Sequence, residues 1–322
     1  MIEVHGLSKR YGPVEAVKDV SFAVGKDQVL GFLGPNGAGK TTIMKILTGY
    51  HFPSGGKALV DGISVEEFPV EVKTRIGYLP ENVPLYGDLS PAEYLEFVAE
   101  ARLIPRGDRQ KRLQEALDAC GLQSVRSRRI ENLSKGYKQR VGLAQAIIHD
   151  PPILILDEPT SGLDPNQIIE IRSLIKELGK RKTVILSTHI LQEVEAVCSQ
   201  VMIINEGRIA AQGSPEEIAG TMKGGDSWEL TLKGADIHSI AERLARLDTN
   251  AKPGSLETQG DAIINLNFFL PNAGGESGEG PSEGERIFDW AVSQGYKILR
   301  MNRKRLSLED IFVKLTNEEA KS

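Results

Sequence analysis

The chain has 322 residues, of which 40% are hydrophobic, and this size suits one large globular domain with a smaller one. The formal net charge of −5 and the short basic runs at residues 126–129 and 303–305 do not indicate a nucleic-acid-binding surface. The two cysteines, Cys120 and Cys198, lie in helical patterns, which argues against a disulfide framework or a metal site. No apolar run approaches the ~20 residues of a membrane span, so any link to a membrane is expected to depend on another chain.

The first part of the chain is predicted to form strands. Ile2, Val4 and Leu7 alternate roughly with polar residues, and residues 20–24 repeat the alternation. A small antiparallel sheet is therefore expected before the first buried strand, at residues 28–33.

Residues 34–42 read Gly-Pro-Asn-Gly-Ala-Gly-Lys-Thr-Thr and match the phosphate-binding pattern GxxxxGK[ST]. They follow the apolar strand and precede a helical pattern, which is the order that the mechanism requires. Backbone N–H groups of such a loop surround phosphate oxygens, the lysine reaches the terminal phosphates, and the hydroxyl binds Mg²⁺. Tyr11, in an upstream turn, is a candidate for stacking on the base, although a turn tyrosine is ordinarily a surface residue. The sequence predicts a nucleoside triphosphate site with the binding residues Gly34, Asn36, Gly37, Gly39, Lys40, Thr41 and Thr42.

A helical insertion is expected between two parts of a parallel sheet, at about residues 85–150. The strand before it, at residues 76–79, ends in a loop that carries Glu81. Ser90 and Glu93 then form a capping-box pattern that opens a helix, and further helical patterns follow.

Two carboxylates end a continuous apolar run at residues 152–158, which is typical of a strand buried in a parallel sheet. Ligands collect at the carboxyl ends of such strands. Two charges at this position are costly without a cation, so Asp157 is expected to hold Mg²⁺ through water, together with Thr41. Glu158 is placed to orient or deprotonate an attacking water, and His189, after the next buried strand, to donate to the γ-phosphate.

These residues resemble the ATP-binding subunits of ABC transporters, in the right order, over residues 1–222. The discriminating stretch is residues 133–140, Leu-Ser-Lys-Gly-Tyr-Lys-Gln-Arg, which is similar to the family signature LSGGQ followed by QR. Ser134 and Gly136 keep the helix start that, in the family, closes over ATP held by the opposite subunit. The other matches are Tyr11 for the A-loop, residues 34–42 for Walker A, Asp157 and Glu158 for Walker B, residues 161–164 with Asp164 for the D-loop, and His189 for the switch histidine.

Three residues depart from the family pattern. Lys135 and Tyr137 replace the commoner Gly and Gln of the signature, while Ser134 and Gly136 are kept, so activity is expected. Glu81 stands where the Q-loop usually has Gln. Its carboxylate is expected to coordinate Mg²⁺ or its water, and its effect on coupling to transport is left open.

Residues 223–322 are expected to form a separate accessory unit. The glycine- and glutamate-rich stretch at residues 272–285 has few apolar side chains and is predicted to be a disordered loop. Residues 306–316 resemble the ends of bacterial ATPases of multidrug, gliding-motility or copper-processing export. The order βαββαβ of a small ferredoxin-like sandwich is predicted from a strand at 228–232, a helix at 240–247, a weak strand near Leu256, a strand at 262–268, a helix at 287–292 and a strand at 296–301.

The predicted fold class is α/β, a P-loop nucleoside triphosphatase of ABC type with a small C-terminal ferredoxin-like α+β domain. The resemblance implies an ATPase that uses ATP and Mg²⁺ and forms a homodimer closed by ATP. It also implies export through a separate transmembrane permease, with the chain peripheral at the cytoplasmic face of the membrane. The alternative is an ABC-type ATPase coupled to ribosomes or DNA. Such relatives usually carry two ATPase halves or a long coiled coil, and neither is visible here.

Overall fold

In the computed structural model, the described residues are 1–215, 217–218, 226–234, 240, 243–244, 247, 252–259, 263–270 and 282–304. The strands among them are β1 (Ile2–Tyr11), β2 (Val14–Val24), β3 (Val29–Leu33), β4 (Gly55–Val60), β5 (Ile63–Ser64), β6 (Ile76–Leu79), β7 (Ile153–Asp157), β8 (Thr183–Thr188), β9 (Gln200–Asn205), β10 (Arg208–Gly213), β11 (Asp226–Lys233), β12 (Lys252–Gln259), β13 (Ile263–Leu270) and β14 (Lys297–Lys304). The α-helices are α1 (Lys40–Leu47), α2 (Pro69–Arg75), α3 (Pro91–Ala101), α4 (Arg106–Ala119), α5 (Lys135–Ile147), α6 (Pro165–Gly179), α7 (Leu191–Val197) and α8 (Glu283–Ser293).

The described elements divide into two compact units, one containing Met1–Pro215 and the other lying within Glu216–Lys314. The expected boundary at residue 222 falls outside the described residues, so it stays a prediction.

The alternating pattern at the start of the chain forms the predicted antiparallel sheet. Its strand order is β2-β1-β4-β5, and β1 pairs antiparallel with both β2 and β4. The alternating side chains Ile2, Val4 and Leu7 are all buried, because one face of the sheet packs on the core.

A six-stranded sheet in the order β10-β9-β3-β8-β7-β6 forms the centre of the first unit. Strands β6 to β9 and β3 pair in parallel, and β10 closes the sheet antiparallel to β9. All five residues of β3 and of β7 are buried, as expected for parallel strands covered on both faces. The carboxyl ends of β3, β7 and β8 therefore meet at one edge of the sheet.

Helices α3, α4 and α5 lie between β6 and β7, where the helical insertion was predicted. The capping box at the start of α3 is confirmed. Ser90 Oγ accepts from the Glu93 N–H at 3.3 Å, and Glu93 Oε2 accepts from the Ser90 N–H at 2.8 Å. Two N–H groups of the first turn thereby find partners that the helix itself cannot supply.

The second unit contains a four-stranded antiparallel sheet in the order β12-β13-β11-β14, which is the order of a ferredoxin-like fold. Helix α8 precedes β14, and residues 240, 243 and 244 are helical between β11 and β12. The core of this unit is apolar and includes Trp228, Phe268, Ile287 and Trp290.

The prediction of a disordered loop at residues 272–285 is wrong at its end. Helix α8 begins at Glu283, with Ser282 as its N-cap and Glu285 completing a capping box. Ile287, Trp290 and Ala291 bury one face of this helix, which provides the apolar contacts that the preceding composition lacks. Residues 272–281 lie outside the described part of the chain.

Within the described part of the chain, no helix has the length and apolar character that crossing a bilayer requires.

Candidate functional site

The glycine-rich loop at residues 34–42 connects β3 to α1, and its glycines are required by close backbone packing. A Cβ at Gly34 would lie 2.3 Å from the Ile204 carbonyl oxygen. Gly39 has φ +108°, a left-handed conformation, and a Cβ there would lie 2.5 Å from the Ala16 carbonyl oxygen. Larger residues at either position would displace the backbone that leads into α1.

Lys40 is held inside the loop, with its side chain 6% exposed. Its Nζ donates to the carbonyl oxygens of Gly34 at 2.7 Å and Pro35 at 3.1 Å, and lies 3.8 Å from Glu158 Oε1. Burial lowers the pKa of Lys40, while the nearby carboxylates of Glu158, Asp157 and Glu81 oppose this shift. The ammonium group therefore lies between two backbone carbonyl oxygens and the carboxylate of Glu158.

Asp157 ends β7 with its carboxylate buried and one of its oxygens, Oδ1, hydrogen-bonded twice. Thr41 Oγ1 donates to its Oδ1 at 3.1 Å, and Ser187 Oγ donates to the same oxygen at 2.6 Å. Thr41 lies in the first turn of α1, and Ser187 lies on β8, directly opposite Asp157 of β7. Three elements thus converge on one carboxylate.

Glu158 follows Asp157 in a left-handed conformation, with φ +47°. A non-glycine residue in this region stores backbone strain, which persists only where its surroundings fix it. Here the Glu158 N–H donates to Ser187 Oγ at 3.0 Å. Its Oε2 lies 3.0 Å from Nδ1 of His189, whose side chain is 47% exposed. Burial raises the pKa of Glu158, and the hydrogen bond with His189 and the charge of Lys40 only partly offset this effect.

A cavity of about 340 Å³ opens above these side chains. Its size and its mixture of N–H, ammonium, hydroxyl and carboxylate groups suit an anionic ligand held beside a cation. The predicted site residues that line it are Asn36, Gly37, Gly39, Lys40, Thr41, Thr42, Glu81, Glu158 and His189.

Six predicted residues do not line this cavity. Two of them, Gly34 and Asp157, contact residues that do, because Lys40 donates to the Gly34 carbonyl and Thr41 donates to the Asp157 carboxylate. The other four are Tyr11, Ser134, Gly136 and Asp164. Tyr11 lies with its ring edge-on to His51, with 5.8 Å between the ring centroids. Ser134 caps α5 by accepting from the Tyr137 N–H, and Asp164 caps α6 by accepting from the Gln167 N–H at 2.9 Å. Gly136 packs against Gln167, since a Cβ there would lie 2.5 Å from that side chain.

One residue that the sequence did not single out belongs to the site. Ser187 joins Asp157 to the backbone of Glu158. Ser161, the first residue of the D-loop match, also lines the cavity, although only Asp164 of that match was named as a binding residue. The available signal for Ser187 is its position, because a hydroxyl interrupts an apolar strand directly before Thr188 and His189. Its partner strand was not identifiable from that pattern.

The oxygen donors fit a hard divalent cation. Thr41 and Asp157 place a hydroxyl and a carboxylate together, and Glu81 supplies a second carboxylate to the cavity. Among the described residues, no three His, Cys, Asp or Glu side chains gather as a complete metal cage. Mg²⁺ characteristically takes only one or two protein carboxylates and completes its shell with water and phosphate.

The phosphate-binding loop lies between a strand and a helix, and paired carboxylates lie at the end of a neighbouring strand. This arrangement defines the class of the protein as P-loop nucleoside triphosphatases. Residues 17–161 match the family model described as ABC transporter. The chain is 33% identical over 324 residues to the uncharacterized ABC transporter ATP-binding protein YxlF of Bacillus subtilis (strain 168), covering 98% of this chain and 100% of that protein.

Solved structures agree. The ATP-binding subunit of an ABC transporter superposes with a TM-score of 0.63 at 32% identity, covering 69% of this chain and 92% of that chain. The dimeric ATP-binding cassette MJ0796, bound to ADP and Pi, gives a TM-score of 0.61 at 24% identity, covering 66% of this chain and 98% of that chain, and supports the fold alone. The chain belongs to the ABC transporter ATP-binding protein family. It is an ATP-binding subunit and an ATPase of this family.

Proposed function

We propose that this chain dimerises on ATP, hydrolyses it with Mg²⁺, and powers export through a separate transmembrane permease at the cytoplasmic face of the membrane. The observation that carries the proposal is the contact of Lys40, Glu158 and His189 beside the glycine-rich loop. Support for the transport role comes from the family relatives, which include ABC transporter ATP-binding proteins.

In this proposal each side chain has a separate role. Lys40 exchanges its contacts with the Gly34 and Pro35 carbonyls for the terminal phosphates of ATP, to which its charge is complementary. Glu158 orients the attacking water and accepts its proton. His189, hydrogen-bonded to Glu158, holds that carboxylate and donates to the γ-phosphate.

The metal site is assigned to Thr41 and Asp157, with Glu81 contributing directly or through water. Bound there, Mg²⁺ would neutralise charge on the phosphate oxygens. The protein's own contribution is to hold the two oxygen donors in place, since Ser187 and Thr41 both donate to Asp157.

The proposed dimer follows from how the phosphate-binding groups are divided. Ser134 and Gly136 sit at the start of α5 and do not line the cavity of their own chain. Each chain supplies one glycine-rich loop and one such helix start, so a two-fold homodimer would complete two equivalent ATP sites. Asp164, which caps α6, and Tyr11 are assigned to the same nucleotide site. The cassette MJ0796, with the same fold, is described as a dimer.

Glu158→Gln tests the catalytic assignment. This variant removes the base but leaves the loop and Asp157 intact, so ATP affinity should be kept while turnover falls by about 100-fold or more. ATP should then hold the variant as a dimer, measured by light scattering. Turnover near the wild-type rate would contradict the role given to Glu158.

Mixed dimers test the division of the site between chains. Ser134→Arg should abolish hydrolysis while leaving ATP binding to the monomer largely intact. Lys40→Ala should also be inactive, but mixing the two variants should restore one composite site and partial activity. Turnover by a monomer that does not depend on protein concentration would contradict the dimer.

Co-purification from membranes and identification of the bound permease would test the transport role.

A further inference from the structure

A buried carboxylate outside the nucleotide cavity ties three elements together. Glu193, on α7, is 3% exposed. Thr160 Oγ1 donates to its Oε1, Thr188 Oγ1 donates to its Oε2 at 2.7 Å, and Arg172 Nη2 lies 3.7 Å from Oε1. A buried carboxylate is costly unless hydrogen bonds and an opposite charge compensate it, and here both are present.

The two threonines stand beside the proposed catalytic residues. Thr160 lies two residues after Glu158, in the segment that follows β7. Thr188 ends β8 and directly precedes His189. Because β7 and β8 are neighbouring parallel strands, one carboxylate bridges the two segments that deliver Glu158 and His189.

The hydroxyl of Thr188 also fixes the backbone around His189. It accepts from the Ile190 N–H at 3.0 Å while it donates to Glu193. A hydroxyl has a single proton, so directing that proton to Glu193 leaves its lone pairs free for Ile190. The residues on both sides of His189 are therefore held by one side chain, whose orientation Glu193 sets.

We propose that Glu193 is a positioning residue for ATP hydrolysis, acting through Thr160 and Thr188 to hold Glu158 and His189 in register. The inference rests on the catalytic roles proposed above for those two residues. Their contact spans 3.0 Å, and small displacements of catalytic groups are sufficient to slow a reaction strongly. Glu193 itself does not line the cavity.

The test measures kcat and KM for ATP in the full chain. Glu193→Gln leaves one threonine proton without its acceptor, and Thr188→Val removes a hydroxyl while keeping the side-chain shape. Both variants should lower kcat by about tenfold or more with KM within about twofold of wild type. Thr188→Ser, which keeps the hydroxyl, should retain near-wild-type kcat.

Glu195→Gln is the matched control, since it makes the same change on an exposed residue of the same helix. It should leave kcat unchanged. Wild-type kcat in folded Glu193→Gln and Thr188→Val would overturn the proposal, as would an equal loss in Thr188→Ser. If Glu193→Gln fails to fold, the Thr188→Val and Thr188→Ser pair decides. Full turnover by Glu158→Gln would instead contradict the proposed catalytic roles.

Discussion

The two units of this chain bury very different side chains. In the first, Lys40, Asp157, Glu158 and Glu193 are all nearly inaccessible to solvent, and every buried charged residue among the described ones lies in this unit. In the second, the described core is aliphatic and aromatic. Buried charges are weak sources of stability, whereas apolar burial is the main one. The comparison indicates that the first unit holds buried charges at its nucleotide site at a cost in stability, while the second is stabilised by apolar packing.

The largest expected effect belongs to the first unit. Lys40→Ala removes the cation that would meet the terminal phosphates, and each charge-assisted hydrogen bond contributes about 1.5–3 kcal/mol. ATP affinity, measured by titration calorimetry, should fall by about 100-fold or more. Lys45→Ala, on the same helix but outside the cavity, is the control and should bind ATP normally. Unchanged affinity of Lys40→Ala would contradict the assignment of the loop.

A substitution in the core of the second unit should lower stability without changing the rate of ATP hydrolysis. Phe268 is 1% exposed, and Phe→Ala substitutions in cores cost about 3–5 kcal/mol. Both tryptophans of the chain, Trp228 and Trp290, lie in this unit, so their emission follows its unfolding. Phe268→Ala should shift that transition while the rate of ATP hydrolysis below it stays the same. Phe288→Ala, at a side chain 54% exposed, is the control.

How much the sequence predicted follows from the same difference. The loop at residues 34–42, the carboxylates Asp157 and Glu158, and His189 were identifiable because each ends or follows a strand with a clear local pattern. The carboxyl ends of parallel strands meet at one edge, so these residues had to be neighbours. The helical insertion and the order of strands and helices along the accessory unit were likewise readable from periodicity.

What the sequence did not predict depends on contacts between distant segments. Ser187 reaches Asp157 across neighbouring strands, and Glu193 reaches back from α7 to two threonines. A glutamate in a helix ordinarily lies on a solvated face, so nothing local distinguished Glu193 from Glu195. At residues 282–285, the composition of the preceding stretch concealed a capping box that starts α8.

A smaller effect on the first unit depends on pH. Burial and the nearby positive charge of Arg102 lower the pKa of His149 to about 4, from an ordinary value of 6.5, although Nε2–H donates to the Ile76 carbonyl at 3.2 Å. The fold therefore favours the neutral imidazole. As pH falls from 6.5 through 4, the unfolded chain takes up a proton that the folded chain resists, and stability is lost.

This loss should reach at most about 3 kcal/mol between pH 7 and pH 4. His149→Gln cannot titrate, so the free energy of unfolding of the first unit should vary less with pH than in wild type. Denaturation followed by far-UV circular dichroism, read beside tryptophan emission from the second unit, measures it. Equal pH dependence in the two proteins would show that His149 does not sense acid.

The smallest expected effect concerns a feature that both units contain, a capping box at the start of a helix. Ser282 caps α8 as Ser90 caps α3, each in a capping box with a glutamate three residues on. Loss of an N-cap hydroxyl costs about 0.5–2 kcal/mol, and Ser282 is exposed, so about 1 kcal/mol or less is expected for Ser282→Ala. Ser282→Thr should restore most of it. The tryptophan transition should shift by this amount with no change in ATPase rate. A parallel fall in ATPase rate would mean that α8 affects the nucleotide site. The separation of activity in the first unit from stability in the second would then be wrong.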